Sequence, residues 1–280
     1  MLVFKALEKL KMHINSRAQR IGLVPTMGGL HRGHSSLIKK ACCDNDIVIV
    51  SIYVNPTQFN DQNDLKKYPF DIINDKSFLS TFSKNVIIYN PDHDEMYPSG
   101  IKSKSYDFGS IALHMEGKFR PGHFNGVATV IEKLFNDIMP NNAYFGEKDY
   151  QQIQIIKALN RILKLGVKII SCPTEREDDG LAISTRNKFL NARQRTAANK
   201  IYLALQELKV KKTKKFDEMK GFFINTVEHS KDLKVEYFFI ASIDNLIPVE
   251  KFQKQKKYRI FIAVLVGNTR LIDNEEIKFN

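Results

Sequence analysis

Apolar residues recur along this 280-residue chain with two different periods, and the alternation between them sketches most of its elements. Phe4, Leu7, Leu10 and Ile14 fall on one helical face and predict a short amphipathic helix over residues 4–17. Ile21 to Val24 then reads as a strand, and Leu37, Ile38 and Ala41 mark the buried stripe of a helix ending near Asp44-Asn45. The unbroken, largely β-branched run Ile47 to Val54 predicts a strand covered on both faces, as in a parallel sheet. Strand, helix and strand at this spacing imply a right-handed crossover, which directs ligands to the carboxyl ends of the strands. Beyond Tyr68-Pro69 the pattern predicts a helical stretch through Phe82 and a strand from Val86 to Tyr89. A helix carrying Val127, Val130, Ile131, Leu134 and Phe135 follows. Next come a short strand Ala143 to Phe145, a helix with Gln151, Gln152, Ile155, Ile156 and Leu159, and a strand Val167 to Cys172.

After Cys172 the order of elements changes. Asn191 is placed to cap a helix through Leu208, a second helix spans Phe216 to Val227, and strands follow at Val235 to Ile240, Tyr258 to Val266 and Arg270 to Ile272. Helices followed by strands, without alternation, predict a separate α+β unit. The sequence thus predicts an α/β domain with a parallel sheet over residues 1–178 and a smaller α+β domain over residues 179–280.

Composition narrows the function classes. Three cysteines, two of them adjacent, exclude a disulfide framework and lack the paired spacing of a zinc site, which favours a reduced, cytoplasmic setting. No apolar run approaches the roughly 18 residues needed to cross a bilayer, and the amino terminus lacks a signal-peptide pattern, so no membrane association is predicted. Of the formal charge of +12, the last ninety residues carry +7. The densest cluster, Lys209, Lys211, Lys212, Lys214 and Lys215, lies between two helical patterns without interleaved aromatic residues. That arrangement predicts a solvated loop rather than a nucleic-acid surface.

Four polar blocks and a junction stretch interrupt the apolar pattern. Pro25-Thr26-Met27-Gly28-Gly29-Leu30-His31-Arg32-Gly33-His34 joins the first strand to its helix, with glycines that let a bulky anion approach the backbone and a helix start that attracts negative charge. No Walker-type glycine-lysine motif occurs. Read alone, this block is also compatible with a glycine turn bearing two surface histidines. Asn55-Pro56-Thr57-Gln58-Phe59 sets amides at the end of the next strand, and the block Glu116 to Val130 gives a tight glycine-proline loop leading into a helix, with His123 and Asn125 at the helix start. Gly146-Glu147-Lys148-Asp149 makes another strand-to-helix turn. The stretch Pro173 to Asn187 offers Ser184, Thr185 and Arg186, donors suited to phosphate oxygens. Asp92, Asp94 and Glu95 in the loop Pro91 to Pro98 invite a metal reading, yet loop acids are ordinarily solvated.

His-x-Gly-His at a first crossover resembles the signature of nucleotidyltransferases. In their order, the blocks together resemble those of the pantothenate synthetases, the pantoate–β-alanine ligases, densely from about residue 20 to 190 and more loosely to Asp273. The resemblance implies a Rossmann-like nucleotidyltransferase domain with a smaller α+β lid domain; because Ser184, Thr185 and Arg186 sit where the chain enters that domain, ATP is expected to draw it over the crevice. It also implies adenylation of pantoate by ATP with Mg2+, followed by attack of β-alanine on the pantoyl-adenylate, in a cytoplasmic homodimer. Carried over, Met27, Gly28, Gly29, Leu30, His31, Arg32, Gly33 and His34 would cradle ATP, with His34 as proton donor and His31 assisting. Gly146, Glu147, Lys148, Asp149, Glu175, Ile183, Ser184, Thr185 and Arg186 would complete the nucleotide site, Lys148 and Arg186 supplying fixed charge. Asp149 is the natural ribose or magnesium-side carboxylate, though the residues fix no set of metal ligands. Gln58 and Gln152 would hold pantoate, and Gln58 also β-alanine, with Asn55, His123 and Asn125 either contributing or serving the loop. Three positions depart from the family pattern: Phe70 stands for an arginine, Gly29 for an alanine expected only to loosen the turn, and Thr185 for a serine. The main alternative is another adenylyl- or cytidylyltransferase of the same fold acting on a different small acceptor. A noncatalytic nucleic-acid binder using the lysine-rich tail is the alternative of another class.

Overall fold

The computed structural model describes residues 1–14, 19–82, 85–211 and 215–279. In chain order its strands and helices are β1 (Leu2–Phe4), α1 (Leu7–Ile14), β2 (Ile21–Thr26), α2 (Arg32–Asp44), β3 (Ile47–Ile52), α3 (Gln62–Lys67), α4 (Ile72–Leu79), β4 (Val86–Tyr89), α5 (His93–Met96) and α6 (Glu116–Phe119). There follow α7 (His123–Ile138), β5 (Asn142–Gly146), α8 (Tyr150–Ile162), β6 (Lys168–Cys172), α9 (Ala192–Val210), α10 (Phe216–Glu228), β7 (Leu233–Ser242), β8 (Lys257–Val266) and β9 (Thr269–Lys278).

Six strands form one parallel sheet in the order β1-β4-β3-β2-β5-β6. All six residues of β3 are buried, as its unbroken apolar run requires. Leu37, Ile38 and Ala41 of α2 and Leu79 of α4 pack with Val24, Val48, Val50 and Ile88 into a core on one face. From β2 the chain steps to β3 on one side, whereas β5 and β6 lie on the other, so the switch point falls between β2 and β5. The carboxyl ends of these two strands deliver the histidine turn and the Gly146 turn, at the place where α/β sheets bind ligands. The tail forms an antiparallel sheet, β7-β8-β9. One face carries Ile260, Ile262, Val264 and Leu271, which pack against Ile201, Leu205 and Leu208 of α9 and Phe223 of α10. The architecture is therefore a Rossmann-like parallel sheet with helices, followed by a small antiparallel sheet region.

Several expectations shift in detail. Phe4 belongs to a strand rather than to the first helix, because Leu2, Val3 and Phe4 pair in register with Ile87, Ile88 and Tyr89 of β4. Residues 15–17 of that predicted helix lie outside the described residues. Asn191 does cap α9, accepting the Gln194 N–H at 2.9 Å in a reciprocal capping box. In the lysine-rich stretch, Lys209 pairs with Glu275 at 3.1 Å and Lys215 with Glu218 at 3.1 Å, while Lys212 and Lys214 lie outside the described residues. Among the described residues, no helix is long and apolar enough to cross a membrane.

The chain divides into two compact units. The first comprises Met1–Phe108, Phe119–Glu147 and Gln151–Pro173; the second comprises Gly109–Lys118, Lys148–Tyr150 and Thr174–Asn280.

Candidate active site

Within the first unit, the turn after β2 is built by two left-handed glycines. Gly28 has φ of 82° and Gly29 of 64°, so Gly29 suits a conformation that would strain a larger residue. A Cβ on Gly28 would stand 2.8 Å from Asp75 Oδ2 and 3.1 Å from both Ile52 Cγ2 and Phe70 Cδ2. Phe70 is thus an apolar wall beside the turn. Asp75, in the first turn of α4 and only 2% exposed, accepts the Gly29 N–H at 2.9 Å and the Leu30 N–H at 2.7 Å. These amides face a carboxylate of the protein itself. The cradle expected of residues 27–34 therefore cannot depend on the Gly29 and Leu30 N–H groups.

His31 and His34 cap α2 reciprocally. His31 is the N-cap residue, and its Nδ1 accepts the Gly33 N–H at 3.1 Å, while His34 Nδ1 accepts the His31 N–H at 3.2 Å. A ring nitrogen that accepts a hydrogen bond carries no proton, so each neutral imidazole bears its proton on Nε2. The rings lie 4.1 Å apart between centroids. Two Nε2–H donors therefore stand side by side at the start of a helix that has no acid in its first turn.

Gln58 reaches this turn. Its Nε2 lies 3.1 Å from Met27 Sδ, and its Oε1 accepts from Asn55 Nδ2 at 3.2 Å. The Gln58 carbonyl is bonded to His123 Nδ1 at 2.9 Å and accepts from Arg120 Nη2 at 3.2 Å. Asn55 is 1% exposed, donates to the Gly126 carbonyl at 3.1 Å, and accepts from the Tyr97 hydroxyl at 2.6 Å and from Thr57 Oγ1 at 3.0 Å. Burial raises the Tyr97 phenol above its ordinary value, which keeps it a donor. Gly126 permits this assembly, because a Cβ there would stand 2.4 Å from the Thr57 carbonyl oxygen. His123 and Asn55 thus act as supports around Gln58, and Asn125 Oδ1 accepts the Tyr106 N–H at 3.2 Å. Gly146 closes β5, Glu147 opens the 3-10 turn that follows, and Gln152 lies on α8, half-buried.

The second unit holds the remaining expected residues. Lys148 and Asp149 lie in a 3-10 turn ahead of α8, with Lys148 Nζ 3.9 Å from Asp149 Oδ1. The Glu175 carbonyl accepts the Ile183 N–H at 3.0 Å, and Arg176 and Ala182 bridge the two sides of this loop. Ser184 Oγ accepts the Arg186 N–H at 3.3 Å and caps the turn Thr185–Phe189, in which Thr185 is buried and Arg186 half-buried. Asp92 caps α5 through the Glu95 N–H, and Glu95 accepts the Leu7 N–H. Asp92 and Glu95 thus have structural partners.

A family model described as pantoate-beta-alanine ligase matches residues 2–276. The chain belongs to the pantoate–β-alanine ligase family. It is 43% identical to the pantothenate synthetase of Flavobacterium psychrophilum, over 99% of this chain and 100% of that one. It is also 43% identical to the Aquifex aeolicus enzyme, over 99% of each chain. Among solved structures, pantothenate synthetase from Thermus thermophilus superposes with a TM-score of 0.91 at 34% identity, over the whole of both chains. The ligase of Francisella tularensis, complexed with beta-gamma ATP and beta-alanine, gives 0.82 at 40% identity, over 98% of this chain and 97% of that one. Membership makes this chain an amide-forming ligase that joins pantoate to β-alanine. Asp75 and Tyr97 were missed in the sequence. Only Asp75 left a trace there, as an acid set among Ile72, Phe78 and Leu79.

Proposed function

We propose that this ligase takes ATP as its third substrate and works in two steps through a pantoyl-adenylate. In the first, a pantoate carboxylate oxygen attacks the α-phosphorus, and the bond from that phosphorus to the pyrophosphate oxygen breaks. In the second, the β-alanine nitrogen attacks the acyl carbon, the carbon–oxygen bond to AMP breaks, and the amine releases a proton. The observation that carries this reading is the 3.1 Å contact between Gln58 Nε2 and Met27 Sδ, which ties the acceptor-holding glutamine to the turn that bears both imidazoles.

In this reading His34 and His31 direct their Nε2–H groups at the triphosphate, with His34 as proton donor. Such donors stabilise charge that grows on the oxygens as pyrophosphate leaves. Lys148 and Arg186 add fixed positive charge, and residues 146–149, Glu175 and 183–186 complete the nucleotide site. Gln58 and Gln152 orient pantoate, Gln58 later serving β-alanine, so that the reacting atoms meet in line. Mg2+ belongs to the same proposal. Among the described residues no group of three or more His, Cys, Asp or Glu side chains could hold a metal, which fits an ion carried mainly by phosphates and water. Asp149 would lie at its side or the ribose's, and the bound ion would neutralise phosphate charge. A cytoplasmic homodimer completes the proposal by likeness to the family.

Exchange of labelled pyrophosphate into ATP tests the scheme. We expect exchange with pantoate alone; a requirement for β-alanine would reject the adenylate intermediate.

A further inference from the structure

β9 presents adjacent polar residues to its two faces, as a strand must. On one face Arg176 donates to Asp273 at 2.7 and 3.1 Å and to Glu275 at 3.0 Å, beside Glu175. These carboxylates outweigh the effect of burial and raise the Arg176 guanidinium above its ordinary value. On the other face lies Asn274, only 3% exposed. Its Oδ1 accepts from Arg259 Nη1, and its Nδ2 donates to the Lys148 carbonyl at 2.9 Å. An amide has one accepting and one donating end, so the Arg259 donor turns the NH2 end of Asn274 toward Lys148. Arg259 also lies over the Tyr150 ring, 4.0 Å from its centroid. The turn that bears Lys148 is thereby fastened at its carbonyl and at its second following side chain to the same pair of strands, β8 and β9.

We infer that Asn274 is a positioning residue for Lys148, holding the lysine's backbone so that its ammonium is preset for the nucleotide. The physical reason lies in the turn itself. A single 3-10 turn has few internal bonds to fix its register, so an outside donor on its central carbonyl decides where the lysine stem starts. A displacement of about 1 Å in such a group can cost about 100-fold in rate.

This inference rests on the role proposed above for Lys148, and two measurements separate the two claims. The first is single-turnover formation of adenylate from labelled ATP and pantoate, by stoichiometric enzyme, in a cycle of Asn274→Ala with Lys148→Met. We expect Asn274→Ala to slow the native chain about 10- to 100-fold with little change in KM for pantoate, and to slow the Lys148→Met chain less than about twofold. Equal losses in both backgrounds, or no loss in the native one, would overturn the inference. Asn274→Asp keeps the volume and the acceptor for Arg259 but removes the donor. It should behave as the alanine variant does, which covers the case in which alanine fails to fold. The second measurement is amide hydrogen exchange over residues 147–151, which needs no activity. It should quicken in both Asn274 variants, and an unchanged pattern would refute the positioning even if the ligase reaction proceeds as proposed.

Discussion

His34 and Gln152 separate two kinds of work. The capping bond to His34 Nδ1 leaves Nε2–H as the donor of the neutral ring, so in the proposed roles its loss is felt as charge develops rather than as substrate binds. We expect His34→Ala to lower kcat about 100- to 1000-fold, the scale for one preorganised donor, with KM for pantoate changed much less. Gln152→Ala should do the reverse, raising KM for pantoate more than it slows turnover. Near-normal kcat in the first variant and abolished turnover at saturating pantoate in the second would exchange the roles. The histidine pair was legible in the sequence because its chemistry lies within four consecutive residues. Asp75 and Asn274 were not, because their partners stand 45 and 126 residues away, and nothing local distinguishes a buried anchor from a solvated polar residue.

The histidine turn and α4 behave as one element. Gly28 meets the Asp75 carboxylate so closely that no side chain fits without moving it, and both N–H groups beyond the glycine depend on that carboxylate. Asp75→Asn keeps the shape but offers one acceptor and turns an NH2 toward a backbone N–H. We expect a loss of about 1–3 kcal/mol in urea unfolding, the scale of one unmet buried donor, together with slower pyrophosphate exchange. Unchanged stability would mean that the turn holds itself. Most strands were legible because buried parallel strands read as continuous apolar runs. β1 was not, since Phe4 also falls on the helical face of Leu7, Leu10 and Ile14, and its partner β4 begins only at Val86. The fold at this scale was largely written in periodicity, whereas the supports of Gln58 come from α7 meeting the turn before it.

Over the whole molecule, burial raises the phenols of Tyr53, Tyr89, Tyr97, Tyr106, Tyr144 and Tyr237. The sign of the effect on stability follows directly. Above about pH 10 an unfolded tyrosine releases its proton while these phenols retain theirs, so the native state binds more protons and stability falls as pH rises. We expect denaturant midpoints to decline from about pH 10 upward. Phenolate absorbance from these six should emerge only together with unfolding; full ionisation in the folded protein would contradict their burial.

The second compact unit draws on stretches far apart in the chain. Glu116 accepts from the Tyr237 hydroxyl at 2.8 Å and from Arg270 at 2.7 and 2.9 Å, across 121 and 154 residues. During synthesis these partners do not arrive together. Glu116 and Lys148 leave the ribosome long before Arg270 and Asn274, and until then the carboxylate has no guanidinium and the lysine turn no amide on its carbonyl. In an unfinished chain that stops short of β9, the lysine turn lacks the Asn274 amide on its carbonyl. If Lys148 and Asn274 act as proposed, the enzyme is kept from adenylating pantoate at full rate until β9 has emerged, so that activity itself becomes a signal that translation has passed residue 274.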